Sequence, residues 1–271
     1  MASFSVVSNI ASVNAQAHLV NTNTGLNKAL NRLSSGFRIN MSGDDAAGLA
    51  VANRYRSDVA IISQGIRNAN DGLSELQIKD GALNNISNLL DRLATLATQS
   101  ASGLTTAAQR TILDAEATDL LAEIDREAEI AGLDVDAGVN FSVFVSNDSG
   151  NESISSSSAI NDVDTNGLGI NALDLATQAN AQTAIGLITT GIANLGGVQG
   201  QVGTLQNRLQ FAMTLAQSQM VNKKAAESRI RDANIAEESA NMTRFNILSQ
   251  TGIAALAQAN QQSASVLSLL R

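Results

Sequence analysis

Two long terminal stretches almost free of charge constrain this chain more than any other feature. Between Val6 and Phe37 the only charged side chains are Lys28 and Arg32, and from Phe245 onward there is only Arg271. Each stretch carries apolar residues at helical spacing. The first has Val6, Ile10, Val13, Ala17 and Val20, then shifts to Leu19, Leu26, Leu30, Leu33 and Phe37, while the last has Ile253, Leu256, Leu267 and Leu270. Steps of three and four mark an amphipathic helix, and the shift between tracks has the form of a coiled-coil stutter. Most domains end in polar, dispensable residues. Two helices cover only one side of each other, and broad Ala/Leu/Ile belts left in water would form a patch that monomers avoid. The termini therefore predict self-assembly, with a simple intramolecular hairpin as the alternative.

Composition narrows the class. The 271 residues include no Pro, no Cys, no Trp, one His and 3% aromatics. Without proline, long uninterrupted helices are permitted, since an interior Pro costs about 3 kcal/mol. Without cysteine there are no disulfides, thiolate nucleophiles or Cys-ligated zinc. A formal net charge of -8 argues against nucleic acid, whose binding rests on clustered Lys and Arg. No apolar run of spanning length is present, so membrane insertion is not expected. The first residues lack a basic region followed by an apolar one, so export without a cleaved signal peptide is expected.

Along the chain, Ser34-Ser35-Gly36 ends the first helix, and Ser42 and Asp45 stand at capping-box spacing before the next. That helix keeps two stripes: Ile62, Ile66, Ala69, Leu73, Leu76, Leu83, Leu90, Ala94 and Ala97, and then Ile86, Leu89, Leu93 and Leu96. Two stripes mean two packing partners. Gly103 breaks the pattern, and Thr106 with Gln109 forms a capping box for a helix with Leu113, Ala117, Leu120, Ile124 and Ala128 inside, closed by Gly132. Val139, Phe141, Val143 and Val145 then alternate as a half-buried strand, and 152–158 returns as its partner. The Asn, Asp, Gly and Ser residues beyond predict an exposed surface. Helical spacing resumes at Ile185 and runs, with interruptions, to the C-terminus. The layout predicts a mainly α protein: a long antiparallel helical bundle with a small β-hairpin, drawn out as an elongated rod.

Chemistry is sparse. Asp162 to Gly167 matches the opening of a calcium loop, but its twelfth position holds Leu173. A solvated Asx-rich turn is the favoured reading and calcium the weaker alternative. Gly43 to Gly48 has phosphate-loop glycine spacing without the Lys and Ser/Thr that should follow. His18, the sole histidine, excludes a His-based metal site or triad and predicts a packing or interface role. Glu237 and Glu238 read as solvated, and they with Arg229, Arg231 and Asp232 predict inter-helix ion pairs rather than catalysis. No enzyme activity, cofactor or metal is expected.

Several motifs then act together. Leu33-Ser34-Ser35-Gly36-Phe37-Arg38-Ile39-Asn40, the Gly43–Ala50 run, Ser228-Arg229-Ile230-Arg231-Asp232-Ala233-Asn234, Asn241-Met242-Thr243-Arg244, Leu256–Gln261 and the Val266–Arg271 end resemble the terminal signatures of bacterial flagellin. The resemblance spans almost the whole chain and implies a structural subunit that polymerises into the flagellar filament for swimming motility, its termini folding on assembly. It divides the chain into an inner-tube helix and connector (1–43), outer-tube helices (44–132), a β-hairpin and loop region (133–178), an outer-tube helix (179–228) and an inner-tube helix (229–271).

The filament core would be lined by Val6, Ile10, Val13, Val20, Leu26, Leu30, Leu33, Ile253, Leu256, Leu267 and Leu270. Implied partners are other copies of the chain, the flagellar export apparatus and its chaperone, and the cap and hook-junction proteins; the location is extracellular. Arg92, Leu96 and Glu116 match the family's innate-immune receptor surface, whereas Thr95 stands where a glutamate is typical. Ser149, Ser153 and Ser155 are exposed candidates for O-glycans. A hook–filament junction protein and a cytosolic coiled-coil regulator are the rival readings.

Overall fold

The computed structural model describes residues 9–134, 140–146, 152–155 and 160–269, without the side chains of 146, 152–155 and 262–269. It contains five helices and one hairpin among those residues: α1 (Ile10–Ser35), α2 (Ala46–Ala101), α3 (Ala107–Ile130), β1 (Ser142–Ser146), β2 (Glu152–Ser155), α4 (Gln178–Arg231) and α5 (Ile235–Leu269). The chain is mainly α, as the periodicity predicts. With no proline to interrupt them, α2 and α4 run for 56 and 54 residues.

Helix ends follow local chemistry. The Asn9 side chain accepts from Ser12 N at 3.1 Å to start α1, and Gly36, at φ 75°, stops it. The start of α2 is one capping step later than the sequence spacing suggests. Asp45 is the cap, accepting from Gly48 N at 2.8 Å, while Asp44 accepts from Asn40 N and Met41 N. These backbone N–H groups, Met41's first, hold the Asp44 carboxyl below its ordinary range. Thr106 and Gln109 form the expected reciprocal capping box on α3. At the other end Gly132 (φ 61°) donates to Glu129 O, and Leu133 N donates to Ala128 O: a Schellman ending.

Packing divides the chain into two compact units, 1–57 with 222–271 and 58–221. The division falls within α2 and α4, where helical periodicity is unbroken and no loop signal stands.

The unit 58–221 has a continuous core. Ile62, Leu76, Leu83, Leu90 and Leu93 of α2 pack with Leu113 and Ile124 of α3 and Ile188, Leu195, Val202 and Leu209 of α4. Ile192, on the same expected stripe, is 38% exposed. The hairpin is antiparallel, pairing Ser142 with Ser155 and Val143 with Ile154, with an irregularity between Phe144 and Ser146. Phe141 and Val145 are buried, as the alternation predicts; Val139 lies outside the described residues. The hairpin crosses α2 closely. A Cβ on Gly65 would stand 1.7 Å from Val145 O, so only glycine admits the strand there.

The segment after the hairpin corrects a sequence expectation. Read as exposed surface, it instead buries Ile160, Val163, Leu168, Ile170 and Leu175 completely. Side chains from the helices tie down its backbone: Asp125 accepts from Thr165 N at 2.8 Å, Asp114 accepts from Leu175 N at 2.8 Å, and Ser100 Oγ donates to Leu175 O at 2.7 Å. Lys79, 3% exposed, donates to Ala131 O at 3.0 Å and thereby neutralises the C-terminal end of α3.

Candidate assembly surface

The unit formed by 1–57 and 222–271 is built around α1 and α5. Asn9 Nδ2 donates to Ala259 O at 2.8 Å, the Phe245 ring lies over Gly25, and Arg32 pairs with Glu238 at 3.0 Å. Early α1 residues therefore meet late α5 residues, and the pair is antiparallel as expected. Glu238 makes the inter-helix ion pair the sequence predicts, with Arg32, one of only two charges on the first helix, but at 8% exposure it is not solvated. Asn234 caps α5, accepting from Ala236 N and Glu237 N.

The two connectors of this unit, after α1 and before α5, lie side by side. Phe37 and Asp232 form an antiparallel bridge, Ala233 N donates to Gly36 O at 2.9 Å, and Arg38 N donates to Arg231 O at 2.7 Å. The Arg231 guanidinium lies 4.2 Å from the Phe37 ring centroid. Arg231 thus meets an aromatic face rather than the expected ionic partner.

What the pair leaves uncovered is more informative. Among the described residues of α1 the only buried one is Ala29. Ile10 is 60% exposed, Val13 62%, Val20 58%, Leu30 44% and Ile253 58%. Leu26, Leu33 and Leu256 are half-buried. Ile247 and Leu248 are also exposed. His18 lines a groove of about 500 Å³ with Leu19, Phe245, Leu248 and Gly252, and no charged side chain lines it. Val6 and Leu270 lie outside the described residues, and of Leu267 only the helical backbone is described.

The remaining sequence candidates are dispersed. Arg92 and Glu116 join α2 to α3 by an ion pair at 2.5 Å, both side chains about half exposed, whereas Leu96 is 1% exposed and belongs to the core. Thr95 spends its hydroxyl on Asp91 O. The backbones of Ser153 and Ser155 lie in β2, and Ser149 lies outside the described residues.

The Asp162 segment closes on itself. Asp162 Oδ1 accepts from Asp164 N and Asp164 Oδ1 accepts from Gly167 N, the bonds of an Asx-rich turn. Asp134, Asp162 and Asp164 offer carboxylate oxygens within 4.8 Å of one another. Burial, followed by the neighbouring Asp164 charge, raises the Asp162 carboxyl above its ordinary value.

Antiparallel terminal helices that leave apolar faces open define a structural subunit whose surface is suited to self-association. Comparison with known proteins identifies the class more closely. Residues 6–133 match the bacterial flagellin N-terminal helical region, and 185–270 match the bacterial flagellin C-terminal helical region. The flagellar filament 33 kDa core protein of Treponema phagedenis is 34% identical over 97% of this chain and 98% of its own. The flagellin of Halalkalibacterium halodurans is 36% identical, with the same coverage of both chains. The crystal structure of Bacillus cereus flagellin is 32% identical, with a TM-score of 0.49, covering 59% of this chain and 94% of that one. The chain belongs to the bacterial flagellin family. It is a structural subunit homologous to flagellins that polymerise into flagellar filaments. Family membership implies self-polymerisation and a flagellar assembly machinery. No helix among the described residues is long and apolar enough to cross a membrane.

Proposed function

We propose that α1 and α5 form the inner wall of a flagellar filament and complete their burial only against other copies of the chain. The observation that carries this is the exposure of Ile10, Val13, Val20, Leu30 and Ile253 on two helices almost devoid of charge. Covering such surface gains roughly 25 cal/mol per Å². Val6, Leu267 and Leu270 continue the same spacing toward the chain ends, and Leu26, Leu33 and Leu256 would line the same filament core. The order of the terminal pair is thus coupled to assembly, as for segments that fold on binding. Contacts that repeat without closing generate a fibre.

On this reading the subunit is exported by the flagellar apparatus with its chaperone, without a cleaved signal peptide. It is then laid down outside the cell beneath the cap, beyond the hook-junction proteins. The stretches 1–43 and 229–271 supply the inner tube, and 44–132, 133–178 and 179–228 the outer. Arg92 and Glu116 would present any receptor-binding surface, with Leu96 supporting them from beneath. Ser149, Ser153 and Ser155 would carry any O-glycans. No catalytic role, metal or cofactor is assigned.

Negative-stain electron microscopy after adding short filament seeds tests the proposal. Long uniform filaments are expected; monomers that ignore the seeds would refute it.

A further inference from the structure

The turn at 164–171 contains Asn166 followed by Gly167, a pairing with known chemical consequences. Glycine places no Cβ over its own nitrogen, so that nitrogen can reach the preceding asparagine side chain. The glycine is imposed by space, since a Cβ on Gly167 would lie 2.5 Å from Asp162 O. Asn166 itself is exposed. The fold has therefore accepted a reactive dipeptide on a surface turn, and the surrounding bonds bear on whether it reacts.

Those bonds restrain both reacting groups. Gly167 N donates to Asp164 Oδ1 at 2.6 Å, and Asp164 is 8% exposed. Asn166 Oδ1 accepts from Asn171 Nδ2 at 2.6 Å. Around them Leu168 N donates to Asp164 O, Gly169 N to Asn166 O and Ile170 N to Thr165 O, fixing the turn. We propose that Asn166-Gly167 is a latent self-deamidation site, held unreactive by the Asp164 cap.

In the reaction the Gly167 nitrogen attacks Cγ of Asn166. A new C–N bond forms, the Cγ–Nδ2 bond breaks, and the side-chain nitrogen leaves as ammonia with the proton lost from Gly167. Water then opens the five-membered succinimide at either carbonyl to give aspartate or isoaspartate. Asp164 opposes this twice. Its hydrogen bond holds the nitrogen in the turn, where it cannot swing toward Cγ, and its charge disfavours deprotonation of that nitrogen. Deamidation at Asn166 then records the time a chain has spent with this turn open.

Peptide mass spectrometry on the full-length chain, incubated at mildly alkaline pH, tests the proposal. Asn166 is expected to convert much faster in urea than in the folded protein. Asp164→Ala, checked for unchanged helix content by circular dichroism, should convert about tenfold faster than wild type when folded, the factor set by losing one charged hydrogen bond. Asp164→Asn keeps an oxygen acceptor for the Gly167 N–H and should stay within about threefold of wild type. Equal rates in the folded and urea-unfolded wild type would overturn the proposal, as would an Asp164→Ala protein no faster than wild type.

Discussion

The two compact units use the same kind of helix in opposite ways. In 58–221, α2 turns two stripes inward, and α3, α4, the hairpin and the 160–175 segment cover them, so Leu83, Leu90 and Leu93 are wholly buried. In the terminal unit, α1 meets α5 along one narrow line, and Val13 and Ile253 remain more than half exposed. The apolar spacing is similar; the number of partners differs. A helix with two apolar stripes and enough neighbours makes a self-sufficient core. A helix with a broad apolar belt and one neighbour is half of an interface.

The contrast should break most visibly at the exposed belt. Val13→Asp with Ile253→Asp places carboxylates on surfaces that assembly would bury, and unpaired buried charge is strongly unfavourable. Seeded polymerisation should be lost altogether, while thermal unfolding of the 58–221 core shifts by less than about 0.5 kcal/mol, as for ordinary surface changes. Filaments of normal length would remove these positions from the interface.

The reverse experiment is Leu90→Ala. A fully buried leucine truncated to alanine costs about 2–5 kcal/mol, so denaturant unfolding should show the core destabilised by that amount. A loss below about 0.5 kcal/mol would mean the core is looser than its burial implies.

Between these lies the partly buried Arg32–Glu238 ion pair of the terminal unit. Glu238→Ala leaves Arg32 half-buried without its carboxylate and should weaken docking of α1 on α5 by about 1–3 kcal/mol. Proteolysis within α1 and α5 should accelerate, with the 58–221 core unaffected. Equal protease resistance of variant and wild type would show that the pair contributes little.

The smallest effect belongs to Asp162. Its carboxyl is raised, so the unfolded chain ionises more readily than the folded one. Stability from this group is greatest at acid pH and falls as pH rises from the ordinary carboxylate value of 3.8 through the raised one. Asp162→Asn should therefore stabilise the core at neutral pH, by less than about 1 kcal/mol for a partly solvated group. The gain should vanish below the carboxylate range, and a gain equal at both pH values would assign it to something other than charge.

Helices were legible because their signals are local. Gly36 and Gly132 stop them, and the Thr106–Gln109 box starts one, through chemistry contained within four residues. The strand was legible from the period-two alternation of Phe141, Val143 and Val145. The 160–175 segment was not. Ile160, Val163, Leu168, Ile170 and Leu175 follow neither helical nor strand period, because the segment is irregular and is held by Asp125, Asp114 and Ser100 from distant helices. Glu238 shows the same limit: its inter-helix ion pair follows from the sequence, but its burial does not, because the partner, Arg32, lies 206 residues earlier. The apolar belts of the termini stood plainly in the sequence. That a single copy leaves so much of them open became visible only once α1 and α5 were paired.

Hydrogen exchange followed by mass spectrometry, on dilute monomer and on seeded filament, tests the central claim most directly. Amides of 10–35 and 235–269 are expected to exchange rapidly in the monomer and to become strongly protected in the filament, while those of the 62–216 core stay protected in both. Terminal amides as slow in the monomer as those of the core would contradict the account.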